Sequence, residues 1–278
     1  ALVGAAPLRM NECPSEGVPV SMKIVRYLDT ATNAPVFGIV EGDTVFAGEG
    51  DVFSGLTKGA EVGSYDNVQV LAPIEPGKVI AIGMNYLKHV KELDATREVP
   101  TEPVVFMKPQ SAIIGPGVAI ELAYPENETH YEAELVVVIG KTAKRVSEAD
   151  ALNYVLGYTA GNDVSDRVQQ MAGIQWIRGK GYDTYLPLGP VIVTDLKPGN
   201  LTVQSRLNGE LRQDDNTDGL IFSVPFLIEF LSDVMTLNPG DIIMTGTPHK
   251  VGALKAGDTI EVEVGDVGVL SNPVVNRA

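Results

Sequence analysis

HYEAELVVVIG, residues 130–140, is the stretch that decides the fold. Side chains alternate between the two faces of a strand, so Glu132 and Glu134 share a face with the two valines that follow them. The opposite face is apolar throughout. A strand that is apolar on both faces is typical of the buried centre of a sheet, and this one begins with two carboxylates.

A second stretch, TIEVEVGD at 259–266, shows the ordinary pattern of a half-exposed strand. Its glutamates alternate with apolar residues along the whole strand, so one face is solvated. Glu132 and Glu134 could form such a solvated face, or they could be buried. Burial of two like charges costs several kcal/mol unless a cation offsets it. The buried alternative therefore predicts a divalent metal ion.

Composition limits the classes of function. The chain has 278 residues, enough for one large domain or two. It has 21 Lys and Arg against 36 Asp and Glu, a net charge of −15. Nucleic acid and anionic membranes are not expected as partners, because both require basic patches. A small acidic substrate remains compatible if a few cations are placed locally.

The single cysteine, Cys13, excludes an internal disulfide framework and cysteine-based zinc sites. It fits a reducing compartment, and we expect a cytoplasmic protein. No apolar run approaches the roughly 18 residues of a membrane span. Residues 1–21 lack the basic start of a signal peptide and are expected to form an irregular N-terminal extension.

The pattern of apolar runs predicts a strand-rich, mixed α/β protein. Residues 22–72 read as short strands with turns, which indicates a small N-terminal β domain. The proline-rich connector LAPIEPGK (71–78) leads into a larger domain, residues 73–278. Helices are predicted at 86–94, 147–155, 165–173 and 223–234. Strands outnumber helices and do not alternate with them regularly, which disfavours a doubly wound sheet.

Two spacings could carry chemistry. Asp163 precedes Arg167 and Gln170, which lie three apart on one face of a predicted helix. Alone, this pattern favours a helix cap followed by a solvated face. His89 and Glu92 also lie three apart on a short predicted helix. A carboxylate that orients an imidazole is typical of a general base, but such pairs are also common on surfaces.

Three further residues have an ordinary and a functional interpretation. Lys180 lies between glycines, where backbone can approach a ligand, and Lys108 ends an apolar strand. Long side chains that reach back to solvent are the default for both lysines. Thr247, in TGTP at 245–248, could hold an anion with the turn amides, or the turn could be plain.

Several enzyme classes are excluded by missing motifs. The chain has no G-x-S-x-G elbow, no Walker A loop and no G-x-G-x-x-G after a strand. With only three histidines, histidine-rich metal sites are excluded as well.

Several motifs in order resemble the fumarylacetoacetate hydrolase family, over about residues 75–274. They are YEAELVVVIGK, GYTAGNDVSDRVQQ, GKGYDTYLPLGP, NGELRQDDNT and the long run from Met235 to Val274. The resemblance implies a mixed β-roll catalytic domain, a small N-terminal β domain and a homodimer.

The resemblance also implies roles for individual residues. It places Glu132, Glu134 and Asp163 as metal ligands. Three carboxylates without a soft ligand favour Mg²⁺ or Mn²⁺ over Ca²⁺. NYLKHVKE (85–92) matches a lid, about residues 85–100, that orders over substrate. The remaining implied site residues are the catalytic His89, Glu92 and Lys180 and the substrate-binding Lys108, Arg167, Gln170, Gly246 and Thr247. One departure is His249-Lys250, where the family has small residues.

The implied substrates are small dicarboxylates or 2-oxo acids with a second carbonyl group. The family pattern favours cleavage between C3 and C4 through a metal-stabilised pyruvate enolate, either hydrolysis of an acylpyruvate such as fumarylpyruvate or decarboxylation of oxaloacetate. The alternatives are isomerisation of 2-hydroxyhepta-2,4-diene-1,7-dioate or decarboxylation of 5-carboxymethyl-2-oxo-hex-3-ene-1,7-dioate in aromatic catabolism. A non-catalytic, metabolite-binding relative is the remaining alternative.

Overall fold

A computed structural model describes residues 21–278, apart from the side chain of Leu93. The expected N-terminal extension therefore lies outside the described residues, except for Ser21. The α-helices are α1 Leu87–Leu93, α2 Arg167–Ala172, α3 Ile177–Lys180 and α4 Val224–Val234. Short 3-10 helices span Tyr65–Asn67, Gln110–Ala112, Glu148–Tyr154, Thr217–Gly219 and Gly265–Val267.

Strands dominate the chain, as the sequence predicted. The strands are β1 Lys23–Asp29, β2 Ala34–Glu41, β3 Thr44–Asp51, β4 Gly55–Ser64, β5 Val79–Gly83, β6 Val104–Lys108, β7 Ile113–Ile114, β8 Ile120–Leu122, β9 Thr129–Tyr131, β10 Ala133–Ile139, β11 Val155–Asn162, β12 Ser165–Asp166, β13 Leu186–Val193, β14 Thr202–Leu207, β15 Glu210–Asn216, β16 Ile242–Met244, β17 Gly252–Ala253, β18 Thr259–Val264 and β19 Gly268–Asn276.

The main sheet has eleven strands and places β10 in its interior. Its order is β4-β3-β2-β1-β13-β11-β10-β16-β5-β6, with β7 beside β13. Leu135 and Val137 enter one hydrophobic core, and Val136 and Val138 enter a second core on the other face. All four are fully buried. The prediction of a strand buried on both faces is confirmed.

The stretch 130–140 is not one strand, however. It breaks at Glu132: β9 belongs to a three-stranded sheet with β12 and β17, whereas β10 belongs to the main sheet. The break takes Glu132 out of the hydrogen-bonded ladders, so its side chain is free to approach that of Glu134.

A five-stranded sheet, ordered β15-β14-β18-β19-β8, covers one face of the main sheet. Val262 and Val264 of β18 share a core with β10, while Glu261 and Glu263 are only partly buried. The alternation predicted from TIEVEV is confirmed, although β18 lies inside its sheet. Helix α4 packs into the same core, and Ser223 caps it, as its hydroxyl accepts a hydrogen bond from Phe226 N at 3.3 Å.

The N-terminal strands continue the main sheet. β1 pairs with β13 in antiparallel register, with Lys23 opposite Val193 and Ile24 opposite Ile192. Val25 and Val45 contribute to the core that contains β10. The small β module thus shares both sheet and core with the larger part of the chain.

Three of the four predicted helices are α-helices, and 147–155 is a 3-10 helix. Helix α3 was not predicted, because four residues are too short for a helical pattern of apolar residues. None of the helices in residues 21–278 is long and apolar enough to cross a membrane.

Candidate active site

Three carboxylates converge where β9, β10 and β11 meet. Because β10 and β11 are antiparallel neighbours, the end of β11 lies beside the start of β10, with Asn162 opposite Ala133. Asp163 N donates to Glu132 O at 2.9 Å and fixes the junction. Carboxylate oxygens of Glu132, Glu134 and Asp163 lie within 4.8 Å of one another. All three residues are buried, with at most 5% of their surface exposed.

Lys180 bridges two of these carboxylates. Its Nζ donates to Asp163 Oδ2 at 2.5 Å, to Ser165 Oγ at 2.7 Å and to Glu132 Oε2 at 3.0 Å. All three ammonium hydrogens are therefore engaged. Burial alone would lower the pKa of Lys180, but Asp163 and Glu132 outweigh burial and raise it. Lys180 is thus held as a buried cation.

Lys108 lies behind Asp163. Its Nζ donates to Asp163 Oδ1 at 2.5 Å and to Val164 O at 3.2 Å. Burial lowers the pKa of Lys108, although Asp163 partly offsets this effect. The substrate contact expected for Lys108 does not fit this position, because the side chain faces Asp163 and does not line the cavity. The interpretation that the side chains of Lys108 and Lys180 reach back to solvent is wrong, because both residues are buried.

Helix α2 supplies Arg167 and Gln170 on one face, as their spacing predicted. Arg167 Nη2 lies 2.6 Å from Glu132 Oε1, and Arg167 Nη1 donates to Gln170 Oε1 at 2.8 Å. Asp166, not Asp163, caps this helix by accepting from Gln169 N at 3.0 Å. The helix-cap interpretation of Asp163 is therefore wrong, and its carboxylate is free for the site.

The adjacent helix α3 approaches α2 closely through Gly179. A Cβ at Gly179 would lie 2.6 Å from the backbone nitrogen of Gln170, so only glycine fits there. This contact fixes the position of the next residue, Lys180, beside the carboxylates of Glu132 and Asp163.

The electrostatics of Glu134 fit a bound divalent cation. Among the described residues, no basic side chain forms an ion pair with Glu134. Burial, Asp163 and Glu132 raise its pKa well above the ordinary value. Burial also acts to raise the pKa of Glu132, but Lys180 and Arg167 outweigh it and lower the pKa. A cation with oxygen ligands would offset the uncompensated charge at Glu134.

Helix α1, which lies in the segment expected to form a lid and is called the lid helix below, brings His89 to the cavity and Glu92 beside it. His89 is 5% exposed, and its Nδ1 lies 3.4 Å from Glu92 Oε2. Burial lowers the pKa of His89, although Glu132 and Glu92 partly offset this effect. Lys250 N donates to both oxygens of Glu92 at 2.9 Å. His249-Lys250, where the sequence departs from the family pattern, therefore contacts helix α1 through the backbone of Lys250.

The turn after β16 holds the other side of the site. Gly246 N donates to Glu134 Oε2 at 2.9 Å, with Gly246 at φ +101°. A Cβ there would lie 2.8 Å from Asn85 Cβ, so both conformation and space require glycine. Asn85 Nδ2 donates to Thr245 O at 2.8 Å, which ties the start of the lid to this turn. Thr247 is 4% exposed and faces the same cavity.

These groups surround a cavity of about 490 Å³. Most of the residues expected at the site line it: His89, Glu132, Glu134, Asp163, Arg167, Gln170, Lys180 and Thr247. The other three expected residues do not line the cavity but contact residues that line it. Glu92 contacts His89, Lys108 contacts Asp163 and Gly246 contacts Glu134. Phe106 and Trp176 form an apolar wall, with ring centroids 5.2 Å apart.

The sequence did not single out four buried polar residues that support the site: Asn85, Asn162, Ser165 and Gln213. Asn162 Oδ1 accepts from Glu132 N at 2.9 Å, and Gln213 contacts Thr247. Each lies in a motif that carried the family resemblance. Their roles were not visible, because a buried side-chain amide is recognised only by the partners that surround it.

Comparisons with known proteins agree with this geometry. Residues 78–275 match the family model described as fumarylacetoacetate (FAA) hydrolase C-terminal, and residues 22–73 match a model described as Rv2993c-like, N-terminal. The mitochondrial oxaloacetate tautomerase fahd2 of Xenopus laevis is 44% identical over 235 residues, which cover 80% of this chain and 73% of that protein.

Solved structures show the same fold. The 2-hydroxyhepta-2,4-diene-1,7-dioate isomerase from Mycobacterium marinum superimposes with a TM-score of 0.84 at 38% identity, covering 92% of this chain and 99% of that one. A maleylpyruvate hydrolase from Sphingobium sp. SYK-6, in complex with manganese(II) and pyruvate, has a TM-score of 0.76 at 30% identity, covering 92% and 100%. The chain, with its three converging carboxylates and its β-roll, belongs to the fumarylacetoacetate hydrolase family.

Proposed function

We propose that the protein is a divalent-metal-dependent enzyme that moves a proton at C3 of a 2-oxo acid with a second carbonyl group. The reaction best supported is the keto–enol tautomerisation of oxaloacetate. The observation that carries this proposal is that His89, favoured as the neutral imidazole by burial, shares a cavity with three carboxylates. The likeness to an oxaloacetate tautomerase supports the choice of substrate.

Glu132, Glu134 and Asp163 would hold Mg²⁺ or Mn²⁺, with Ca²⁺ less favoured, because an all-oxygen donor set suits hard cations. The manganese complex of the maleylpyruvate hydrolase supports this assignment. A bound cation would supply a Lewis acid that polarises the 2-oxo group of the substrate.

The side chains of the cavity would divide the remaining work. His89, oriented by Glu92, takes the proton from C3, and the electrons of the C–H bond delocalise onto the 2-oxo oxygen. Lys180 and Arg167 stabilise the developing negative charge. Lys180 acts through its charge, because all three of its hydrogens are engaged by other residues. The protonated His89 then gives up its proton, and the oxygen gains one, directly or through water, which yields the enol and restores the neutral imidazole.

A second candidate is cleavage between C3 and C4, either hydrolysis of an acylpyruvate or decarboxylation of oxaloacetate. The likeness to a maleylpyruvate hydrolase favours it. His89 would then activate water to attack C4 in hydrolysis, whereas decarboxylation needs no attack. Isomerisation of a hydroxydienedioate, by proton movement along the same enol, is supported by the Mycobacterium marinum structure.

Product analysis tests the proposal. Purified protein is given enol oxaloacetate, keto oxaloacetate, acylpyruvates, fumarylpyruvate and 2-hydroxyhepta-2,4-diene-1,7-dioate, with Mg²⁺, with EDTA and with Mg²⁺ restored. We expect fast, EDTA-sensitive interconversion of the oxaloacetate tautomers. EDTA-sensitive pyruvate release from an acylpyruvate, without tautomerisation, would replace the first candidate by the second. No turnover of any substrate under saturating Mg²⁺ would contradict both.

A further inference from the structure

Gln213 is a fully buried residue of β15 that connects the two sides of the site. Its Nε2 donates to Thr247 Oγ1 at 2.9 Å and to Pro248 O at 2.8 Å. Its Oε1 accepts from Ala133 N at 3.0 Å and from Ser205 Oγ at 3.1 Å. Ala133 lies between the two glutamates of the cluster, so a single side chain links the carboxylate-bearing strand to the turn that carries Thr247.

These partners leave only one orientation for the amide of Gln213. The backbone nitrogen of Ala133 can only donate a hydrogen bond, so the amide oxygen must face it. The carbonyl oxygen of Pro248 can only accept, so the amide nitrogen must face that side. A flipped amide would place donor against donor and acceptor against acceptor.

The fixed amide determines the direction of the Thr247 hydroxyl. Its oxygen must accept the hydrogen bond from Gln213, because Nε2 has only hydrogens to offer. The hydroxyl hydrogen therefore points elsewhere. Among residues 21–278, the Thr247 hydroxyl accepts this hydrogen bond and donates none, and Thr247 lines the cavity. Lys180, in contrast, has no free hydrogen to give.

We propose that Gln213 is a positioning residue that directs the Thr247 hydroxyl hydrogen into the cavity, as a hydrogen-bond donor to an oxygen of the substrate's 2-oxo-carboxylate end. This inference rests on the proposed function for the identity of the ligand. The orientation of the hydroxyl itself does not depend on any ligand. Gln213 does not touch Glu132 or Glu134 through its side chain, so the metal site does not depend on its donor group.

The test separates the donor role of Gln213 from its place in the core. Gln213→Glu keeps the shape and the acceptor toward Ala133, and at a pH high enough to ionise the new buried carboxyl it replaces the donor toward Thr247 by an acceptor, which reverses the hydroxyl. Thr247→Val removes the hydroxyl. Gln204→Glu is the control, because it makes the same change on the neighbouring strand β14, on the opposite face of the sheet, where Gln204 donates to Asp214. Calorimetry then measures binding of Mg²⁺, and of oxalate in the presence of Mg²⁺, to each variant and to the double variant.

We expect Gln213→Glu to weaken oxalate binding about 10- to 100-fold, the range for a hydrogen bond to a charged group. Mg²⁺ affinity should not fall, because the added carboxylate attracts the cation, and Gln204→Glu should leave the binding of both Mg²⁺ and oxalate unchanged. In the Thr247→Val background, Gln213→Glu should cost much less oxalate affinity, because only charge repulsion between the new carboxylate and oxalate remains. An equal loss in that background would mean that Gln213 acts only through the core, and it would overturn the proposal.

Neutron diffraction of the wild-type crystal provides a test that needs neither a variant nor a ligand. We expect the deuterium on Thr247 Oγ1 to point into the cavity. A deuterium directed at Pro248 O would overturn the assignment. Wild-type protein that binds Mg²⁺ but not oxalate would contradict the proposed function, and the neutron map would still decide the role of Gln213.

Discussion

Two glutamates that are two residues apart on the chain have opposite electrostatic environments. Lys180 and Arg167 surround Glu132 and outweigh its burial, so its pKa falls. Glu134 is buried beside Asp163 and Glu132, and their effect outweighs the Gly246 N–H and Lys180, so its pKa rises. The site thus has a surplus of negative charge at one residue, which is where the effect of a bound cation should be largest.

The raised pKa of Glu134 predicts how the stability of metal-free protein depends on pH. A carboxyl whose pKa is higher in the folded state contributes stability at low pH and loses it as pH rises through the folded pKa. We therefore expect the melting temperature in EDTA to fall as the pH rises from about 5 upward, above the ordinary pKa of a glutamate. Mg²⁺ should reverse this fall, and Mg²⁺ binding should release a proton. Glu134→Gln should abolish both effects, and a wild-type melting temperature in EDTA that is flat across this range would contradict the assignment.

Glu134→Gln should also separate folding from activity. Loss of a direct metal ligand should cost at least as much as loss of an outer-shell partner, about 10- to 100-fold in Mg²⁺ affinity or turnover. The fold should remain, because removing one of three neighbouring carboxylates relieves repulsion. Turnover under saturating Mg²⁺ and circular dichroism check the two parts. A variant with near wild-type turnover would exclude Glu134 from the metal site.

Replacement of His89 should reveal which proton it moves. His89→Ala should reduce tautomerisation about 10²- to 10⁴-fold if the imidazole takes the C3 proton, the usual range for general base catalysis. If it activates water instead, acylpyruvate hydrolysis should fall by that factor and tautomerisation much less. Because burial lowers the pKa of His89, the acid limb of kcat/KM should lie below about pH 6.5. An acid limb above that value would assign the limb to another group.

The lid helix is held at two points on neighbouring elements. At one point, Glu92 accepts from Lys250 N. At the other, Lys88 Nζ lies 3.0 Å from Asp215 Oδ2 on β15, and His249 Nδ1 lies 3.3 Å from the same oxygen. A helix of seven residues is too short to be stable alone. Its position over the cavity therefore depends on these contacts and on Asn85.

Asp215→Asn should loosen the lid without unfolding the protein. The lost pair is largely exposed at Lys88, so an effect of about 0.2–1 kcal/mol is expected. This corresponds to a KM increase of up to about fivefold, with faster hydrogen exchange in residues 87–93. Asp214→Asn, on the adjacent residue of the same strand, is the control and should leave the lid unchanged. Equal exchange rates in both variants would show that Asp215 does not hold the lid.

At the scale of the whole molecule, the N-terminal strands share the sheet and the core of the catalytic part. Removal of β1 would uncover the edge of β13 and the apolar side chains around Val25 and Val45. We therefore expect one cooperative unfolding transition, with equal calorimetric and van't Hoff enthalpies. Two separate transitions in scanning calorimetry would show that residues 22–72 fold independently. The homodimer implied by the family remains a prediction for light scattering.

The sequence by itself determined the pattern of strands, the interior position of β10 and the pair of glutamates at its start, and the family resemblance added Asp163. Residues 135–139 are apolar on both faces and predict a buried strand, and the E-x-E pair at 132–134 is visible without coordinates. These features are local, since they depend on the alternation of side chains along one strand.

Only the tertiary structure decided what surrounds the carboxylates. It placed Lys108 behind Asp163, engaged every hydrogen of Lys180 and moved the helix cap from Asp163 to Asp166. It also brought Gln213 to Thr247, 34 positions along the chain. Such contacts depend on which strands become neighbours. Hydrogen-bond direction and charge compensation in a buried site are set by these neighbours, which the alternation of one strand cannot specify.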